Sequence, residues 1–342
     1  MEHYKYVKRW NRFFYFDRIL PTYMRKGIKM LMYGLDFWWY LLILIARMRY
    51  KWKDKKYYLS ICAIFKDESL VMKEWVEFHR LVGVDHIYLY NNNSTDNSCE
   101  ILKPYIDEGF VTLVDLPMPP PSQAQAYNDF KHKFWDETNW VAFIDLDEFI
   151  CPRRAFNVKD LLEKFRSYPS LLVYWRMFGS SGRIEHDKDK LLTEQYTIAC
   201  DKYNDVGKCF FNTRFKSVPI TIKHIHELPA EVSLFGKKFS IPSINESKHF
   251  VKYHCHRMGC FWKEDDFTMQ INHYVTKSYN EFFVNKKKRG DACNLRNTRT
   301  VWPYVYGQLY SSKPDYTINK YLPFLKIRMA NGKIKNYFDN EQ

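Results

Sequence analysis

From residue 57 onward the chain alternates between short unbroken apolar runs and longer stretches where apolar residues recur every three or four positions. Tyr57–Phe65 reads YYLSICAIF, nine residues rich in β-branched and aromatic side chains, which predicts a buried strand. Residues 69–82 place Val71, Trp75, Phe78, Leu81 and Val82 at helical spacing. Residues 85–90 (DHIYLY) predict a second strand, stopped by the polar stretch 91–98. A helix over 99–106 and a strand over 110–116 follow, and the proline-rich stretch 117–121 then breaks the chain. Beyond it, 123–135 predicts a helix and 140–144 an apolar strand that runs into acidic residues. Strands separated by helices predict βαβ units, hence an α/β domain with a mostly parallel sheet and helices on both faces. Ligands of such sheets bind beyond the carboxyl ends of the strands. The polar clusters 66–68 (KDE), 91–96 (NNNSTD) and 145–148 (DLDE) all fall there, and one site is expected to collect them.

The segment ahead of this pattern differs. Ten uninterrupted apolar residues at 37–46 follow Asp36, short of the roughly 20 that a spanning helix needs. With Trp38 and Trp39 beside Arg47, Arg49 and Lys51, a helix lying in the headgroup layer of a membrane is expected. Charge sharpens the picture. The chain carries +14, and residues 1–56 hold eight Lys and six Arg against Glu2, Asp17, Asp36 and Asp54, a surplus of ten. A basic leader on a nearly neutral body suits contact with an anionic membrane surface. A nucleic-acid-binding protein would carry that charge on the folded domain, so no nucleic-acid partner is expected. A hydrophobic fraction of 46% with only 12 Gly and 14 Pro excludes disordered and collagen-like chains. The eight cysteines are scattered without a CxxC pair, and no signal-peptide pattern opens the chain. The expected location is cytoplasmic, peripheral on the inner face of the cytoplasmic membrane.

Asp145-Leu146-Asp147 is the sharpest chemical feature. On a continuing strand, positions i and i+2 present both carboxylates on one side. Such a pair can hold a hard divalent cation, Mn²⁺ or Mg²⁺, while bound phosphates complete the shell. His273 stands ahead of the basic run Lys286, Lys287, Lys288 and Arg289. It can complete the metal shell from the opposite side, and the basic run can close over phosphates. The cluster His249, His254, Cys255, His256 and Cys260 is too irregularly spaced for a recognisable zinc site.

Taken in order, seven stretches carry a resemblance. They are CAIFKDE (62–68), EWVEFHRLVGVDHIYLYNNNSTDNS (74–98), LKPYIDEGFVTLVD (102–115), QAQAYNDF (123–130), WVAFIDLDEFI (140–150), FGSSG (178–182) and INHYVTKSYNEFFVNKKKRG (271–290). Together they resemble the nucleotide-sugar glycosyltransferases of the GT-A fold, being most similar to glycosyltransferase family 92 and to related family 2 enzymes. The resemblance implies that Asp145 and Asp147 form the metal-binding DxD. It implies that 91–96 takes the place of the acidic loop around the nucleoside, with Asn91 and Asn92 at its leading positions and Asp96 at its end. It also places Glu68 as the acidic residue of the first-strand motif, and Asn128 as the Asn of the helix before the DxD strand. Arg289 is the expected bidentate contact to the donor diphosphate.

A diphosphate leaving group needs positive charge, which a DxD-held cation supplies. Inversion needs a base for the acceptor hydroxyl. Glu185, Asp187, Glu194, His226 and Glu227 follow the DxD, and the place of the catalytic acid in family 2 favours Glu227. The expected function is inverting transfer of a hexose from a nucleotide sugar, a UDP-hexose, to a glycan or lipid-linked glycan of lipopolysaccharide or capsule. A sugar-phosphate nucleotidyltransferase is the rival enzyme, but its Gly-rich phosphate loop is absent after the first strand. Three parts are expected: a membrane-associating helical segment 1–56, a GT-A domain 57–292, and a C-terminal extension 293–342 packing on it.

Overall fold

The computed structural model describes residues 21–119, 122–201, 203–204, 206–251, 267–286 and 301–330. A long helix α1 (Thr22–Arg49) precedes β1 (Tyr57–Phe65), α2 (Ser69–Leu81), β2 (His86–Asn91), α3 (Ser98–Asp107), β3 (Val111–Asp115), α4 (Gln123–Lys133) and β4 (Thr138–Phe143). Up to this point the expected strands and helices are present, with ends shifted by a residue or two. The leader helix is longer than its apolar run. The helix expected over 123–135 ends at Lys133 and tightens into a 3₁₀ turn, Trp135–Glu137.

The chain continues through β5 (Glu148–Pro152), the short helix α5 (Val158–Leu162), β6 (Ser170–Met177), the single turn α6 (Leu192–Gln195), β7 (Ile198–Cys200) and β8 (Gly207–Asn212). A hairpin, β9 (Ala230–Leu234) and β10 (Lys237–Ile241), precedes β11 (Met269–His273). One eight-stranded sheet organises the molecule, in the order β3-β2-β1-β4-β8-β6-β11-β5. Its first half, β3 to β4, is wholly parallel and every crossover contains a helix. In its second half β8 runs antiparallel to both β4 and β6, β11 runs parallel to β6, and β5 runs antiparallel to β11. The result is the mixed, mostly parallel α/β sheet expected of a GT-A domain.

Strand β1 is buried from Leu59 to Phe65 because helices cover both faces, which is why it reads as a continuous apolar run. The two halves are stitched by side chains of α2. Trp75 Nε1 donates to the Glu148 carbonyl at 2.8 Å. His79 Nδ1 bonds the Trp75 carbonyl at 2.8 Å, and its Nε2 accepts from the Ile150 amide at 3.2 Å. At the β6–β8 pairing, a Cβ on Gly207 would stand 1.9 Å from the Val173 carbonyl oxygen, so only glycine fits.

Two further parts pack on this body. The β9–β10 hairpin lies against α1, with Trp38 edge-on to Phe239 at 5.6 Å. Near the other end of the chain, α7 (Trp302–Tyr310) leads into β12 (Ser311–Pro314), which pairs with β7. Helix α8 (Leu322–Met329) then docks on α2, where Arg328 pairs with Glu77 at 3.2 Å. Among the described residues no helix is long and apolar enough to cross a membrane. Arg289, Lys287, Lys288, His254, Cys255, His256, Cys260 and the first twenty residues lie outside the described residues.

Candidate active site

The carboxyl ends of β1 and β2 are laced together. Asp67, at φ +51°, accepts from the backbone amides of Thr95 (2.6 Å) and Asp96 (3.3 Å). Asp96 accepts from the Ser69 amide at 2.8 Å, and the Ser98 hydroxyl accepts from the Glu68 amide at 3.1 Å. Burial pushes the Asp96 carboxyl up, but hydrogen bonds from Ser98 and Ser69 outweigh it and leave it below the usual range.

These loops form one wall of a cavity of about 620 Å³, lined by Lys66, Asp67 and Asp96 on one side and by Lys188, Lys277 and Lys286 on the other. Glu68 also lines it and faces Lys277 across 3.4 Å, both side chains nearly buried. Lys277 sits at φ +48°. A long side chain held in the left-handed region marks a position where the fold overrides local preference, as functional sites commonly do.

The DxD lies in a turn, not on a strand. Strand β4 ends at Phe143 and β5 starts at Glu148, so the alternation expected to aim both carboxylates one way does not operate. Asp145 Oδ1 accepts from Gln123 Nε2 at 2.7 Å, and its Oδ2 from the fully buried Lys208 ammonium at 2.8 Å. Asp147 meets a different set: Lys286 Nζ lies 2.5 Å from Oδ2 and His273 Nε2 lies 3.5 Å from Oδ1. Burial raises the Asp147 carboxyl, yet Lys286, His273 and Lys277 together hold it well below the carboxylate range. Glu148 is the opposite case. Burial, with repulsion from Asp145 and Asp147, drives it well above that range despite Lys208. Its Oε2 accepts from the Asp145 amide at 3.0 Å while Oε1 is buried without a hydrogen bond among the described residues.

Among the described residues no cluster of three or more His, Cys, Asp or Glu side chains is arranged to hold a metal ion. Asp147 and His273 supply two donors. That number fits a hard cation of the Mg²⁺ or Mn²⁺ type, which takes one or two protein ligands and completes its shell with substrate phosphates and water. Among the described residues the buried His273 Nδ1 has no hydrogen-bond partner, so none of them selects the ring tautomer through that nitrogen.

The remaining expected residues fall around this centre. Asn91 Nδ2 donates to Asp115 and its Oδ1 accepts from the Ser94 amide, shaping the loop itself. Asn92 donates to the Leu116 and Met118 carbonyls. Asn128 donates to the Ile220 carbonyl at 2.7 Å and so ties α4 to the loop ahead of Glu227. Glu227 is buried, with Oε1 facing the Ser243 amide at 3.4 Å. Its neighbour His226 lies edge-on to Trp175 at 5.1 Å, and Trp175 in turn lies 4.5 Å from His273.

Sequence reading missed Lys208, Lys277 and Trp175. Lys208 sits in β8, whose six residues are all buried, and a lysine in such a run carries no periodic signal of its own. Lys277 follows β11 inside a matched stretch whose basic end drew attention instead. The segment 182–191 lies between two anchors and is also bonded near its start, where the Arg183 and Ile184 carbonyls accept from the Tyr279 and Asn280 amides. The Ser181 hydroxyl accepts from the Thr197 and Ile198 amides, and buried Glu74 accepts from the Leu192 and Thr193 amides.

Comparison with known proteins bears on the whole domain. The sequence profile of glycosyltransferase family 92 matches residues 55–291. A family 92 protein of Oryza sativa subsp. japonica is 26% identical over 279 residues, covering 78% of this chain and 45% of the relative. A galactan β-1,4-galactosyltransferase of Arabidopsis thaliana is 27% identical over 168 residues, covering 46% of this chain and 33% of its own. The chain thus spans less than half the length of these curated relatives. Among solved structures, S. aureus TarS in complex with UDP overlaps 46% of this chain and 47% of its own at 15% identity, with a TM-score of 0.31, too slight to bear on the site. The profile match runs from the residues ahead of β1 to beyond the segment that carries His273 and Lys286, and on that match the chain belongs to glycosyltransferase family 92.

Proposed function

We propose that this chain is an inverting, metal-dependent glycosyltransferase that moves a hexose from a UDP-sugar to a surface glycan or lipid-linked glycan, of the lipopolysaccharide or capsule type, at a membrane face. The observation that carries the reading is the juxtaposition at Asp147: a buried carboxylate shared by His273 and Lys286 at the edge of a nucleotide-sized cavity. Asp147 and His273 would hold Mn²⁺ or Mg²⁺, which when bound offsets the charge of a departing diphosphate. Lys277 and Lys286 border the cavity and can donate to phosphate oxygens, adding fixed positive charge where the leaving group develops its own. Asp96 and the 91–96 loop border the side expected for the nucleoside. Glu227 is the proposed base, and His226, across Trp175 from His273, is the neighbour to compare with it.

Family membership gives the reaction class, and the galactosyl transfer named for one relative makes UDP-galactose the first donor to test. Thermal melting with UDP-galactose, UDP-glucose and UDP-GlcNAc, each with and without Mn²⁺, is the direct experiment. A ligand that binds only the native state stabilises it by mass action, about 2.7 kcal/mol at 100 times its Kd. A shift with one UDP-hexose that needs Mn²⁺ is expected. No shift with any of them, metal present, would remove the reading.

A further inference from the structure

The outer face of the α1 and β9–β10 unit exposes large apolar side chains beside basic ones. Helix α1 is apolar on two opposite sides. Leu42, Ile43 and Ala46 are buried, and Trp39 and Tyr40 pack on Phe250. At about 100° per residue, Phe37, Leu41, Leu44 and Met48 fall in a single row on the far side. These four are 39–73% exposed. Beside the last turn of this helix stands the hairpin tip, because Arg49 donates to the Ser233 carbonyl, two residues from the turn.

The tip is the second observation. Leu234 pairs with Lys237, so Phe235 and Gly236 form a two-residue turn, with φ +50° and +73°. Two positive φ values define the type I′ turn, which favours Asn-Gly. A bulky aromatic at the first position is an outlier. Phe235 is also 94% exposed, so it gains nothing from burial in the fold. Local backbone preference and solvation both disfavour Phe here. A role outside the fold is the remaining physical reason for it.

Charge identifies the occupant. Arg47, Lys51 and Lys53 extend from the helix end, and Lys237 and Lys238 follow the tip, all exposed. A second copy docking by this face would bring these cations against their own kind. An anionic bilayer surface would accept both the cations and the apolar row.

We propose that Phe37, Leu41, Leu44, Met48 and the Phe235 tip form one insertion face that seats the protein on an anionic lipid surface, the hairpin acting as a second prong beside the helix. This rests on the membrane-face part of the proposed function and is independent of the transfer chemistry. The test is co-sedimentation of the full chain with vesicles of phosphatidylcholine alone and of phosphatidylcholine with about 30% phosphatidylglycerol, to give an anionic surface. The wild type should partition to the anionic vesicles and be released by salt. Phe235→Asn should lower that partition on the order of tenfold, as expected for losing one inserted aromatic side chain. The same variant should melt at the wild-type temperature or roughly 1–3 °C above it, since Asn suits the turn. Leu44→Gln with Met48→Gln should lower partition similarly. Wild-type binding that persists unchanged in both variants would overturn this face while leaving membrane association intact. A wild type that ignores anionic vesicles would overturn the membrane reading itself, and concentration-dependent dimerisation lost in the variants would assign the face to a second copy.

Discussion

The two halves of the central sheet are made in different ways. Strands β1 to β4 come from consecutive βα units, parallel throughout, with β1, β2 and β3 side by side in chain order and β4 added on the other edge of β1. Strands β8, β6, β11 and β5 are gathered from across residues 148–273, out of chain order and in mixed directions. The first half contributes the loops at 66–68 and 91–96, which accept many backbone hydrogen bonds and shape a cavity wall. The second half contributes Lys208 and His273, and the segment beyond it Lys277 and Lys286, which confront the carboxylates. Binding geometry is local, whereas the charge balance depends on long-range assembly. The DxD turn, between β4 and β5, is where the two meet.

The comparison can be broken most severely at Asp147. Asp147→Asn keeps the shape but removes the anion that Lys286 and His273 share, and sugar transfer should fall on the order of 10³-fold, about 4 kcal/mol of barrier. Initial rates with radiolabelled donor check this, with circular dichroism to show that the fold persists. A variant that retains wild-type rates would disconnect Asp147 from the chemistry.

Next in size is the seam of the second half. Gly207→Ala drives a methyl into the Val173 carbonyl, and a loss of about 3 kcal/mol in urea denaturation is expected. An equal loss is not expected from a surface alanine substitution in the first half.

Acid should loosen both the stitching between halves, through His79, and the first half itself, through His86 on β2, whose Nε2 meets the Thr112 hydroxyl at 2.8 Å. Burial depresses the His79 imidazole to about 3, outweighing its bond to the Trp75 carbonyl, and burial with Lys56 nearby depresses His86 to about 4. Both lie below the unfolded value of 6.5, so below that pH the unfolded chain binds protons that the folded one refuses. Stability from these groups is therefore complete above pH 6.5 and declines as pH falls toward 4, by about 1.4 kcal/mol per unit for each histidine. Urea midpoints at about pH 7.5 and 4.5, on either side of that window, should show the decline. His79→Gln should show a smaller one.

The finest test concerns Lys286. Its ammonium occupies the Asp147 oxygen that a cation would otherwise neutralise. Lys286→Met should bind Mn²⁺ without donor about tenfold more tightly, and UDP at saturating Mn²⁺ about tenfold more weakly. Titration calorimetry reads both. Unchanged values would make Lys286 a structural counterion only.

How much of this was legible follows from the same division. YYLSICAIF and DHIYLY could be read because parallel strands covered on both faces are continuous apolar runs between polar breaks. GKCFFN could not, because it opens with the glycine that its neighbour's backbone requires and a lysine that is buried against Asp145. Asp145 and Asp147 stood out as a pair, yet their basic partners come from β8, from β11 and from the segment after it, more than sixty residues away in each case. Local spacing does not encode such pairings.

The segment 182–191 has a practical reading for protein engineering. Its two ends are held by Ser181 and Glu74, which bond backbone amides and are therefore indifferent to the side chains between them. It carries Lys188 into the cavity. Nearer its start, the Arg183 and Ile184 carbonyls accept from the Tyr279 and Asn280 amides and His186 meets the Tyr196 hydroxyl at 3.1 Å, so the stretch open to sequence exchange is the exposed run Lys188–Lys190 at the cavity mouth.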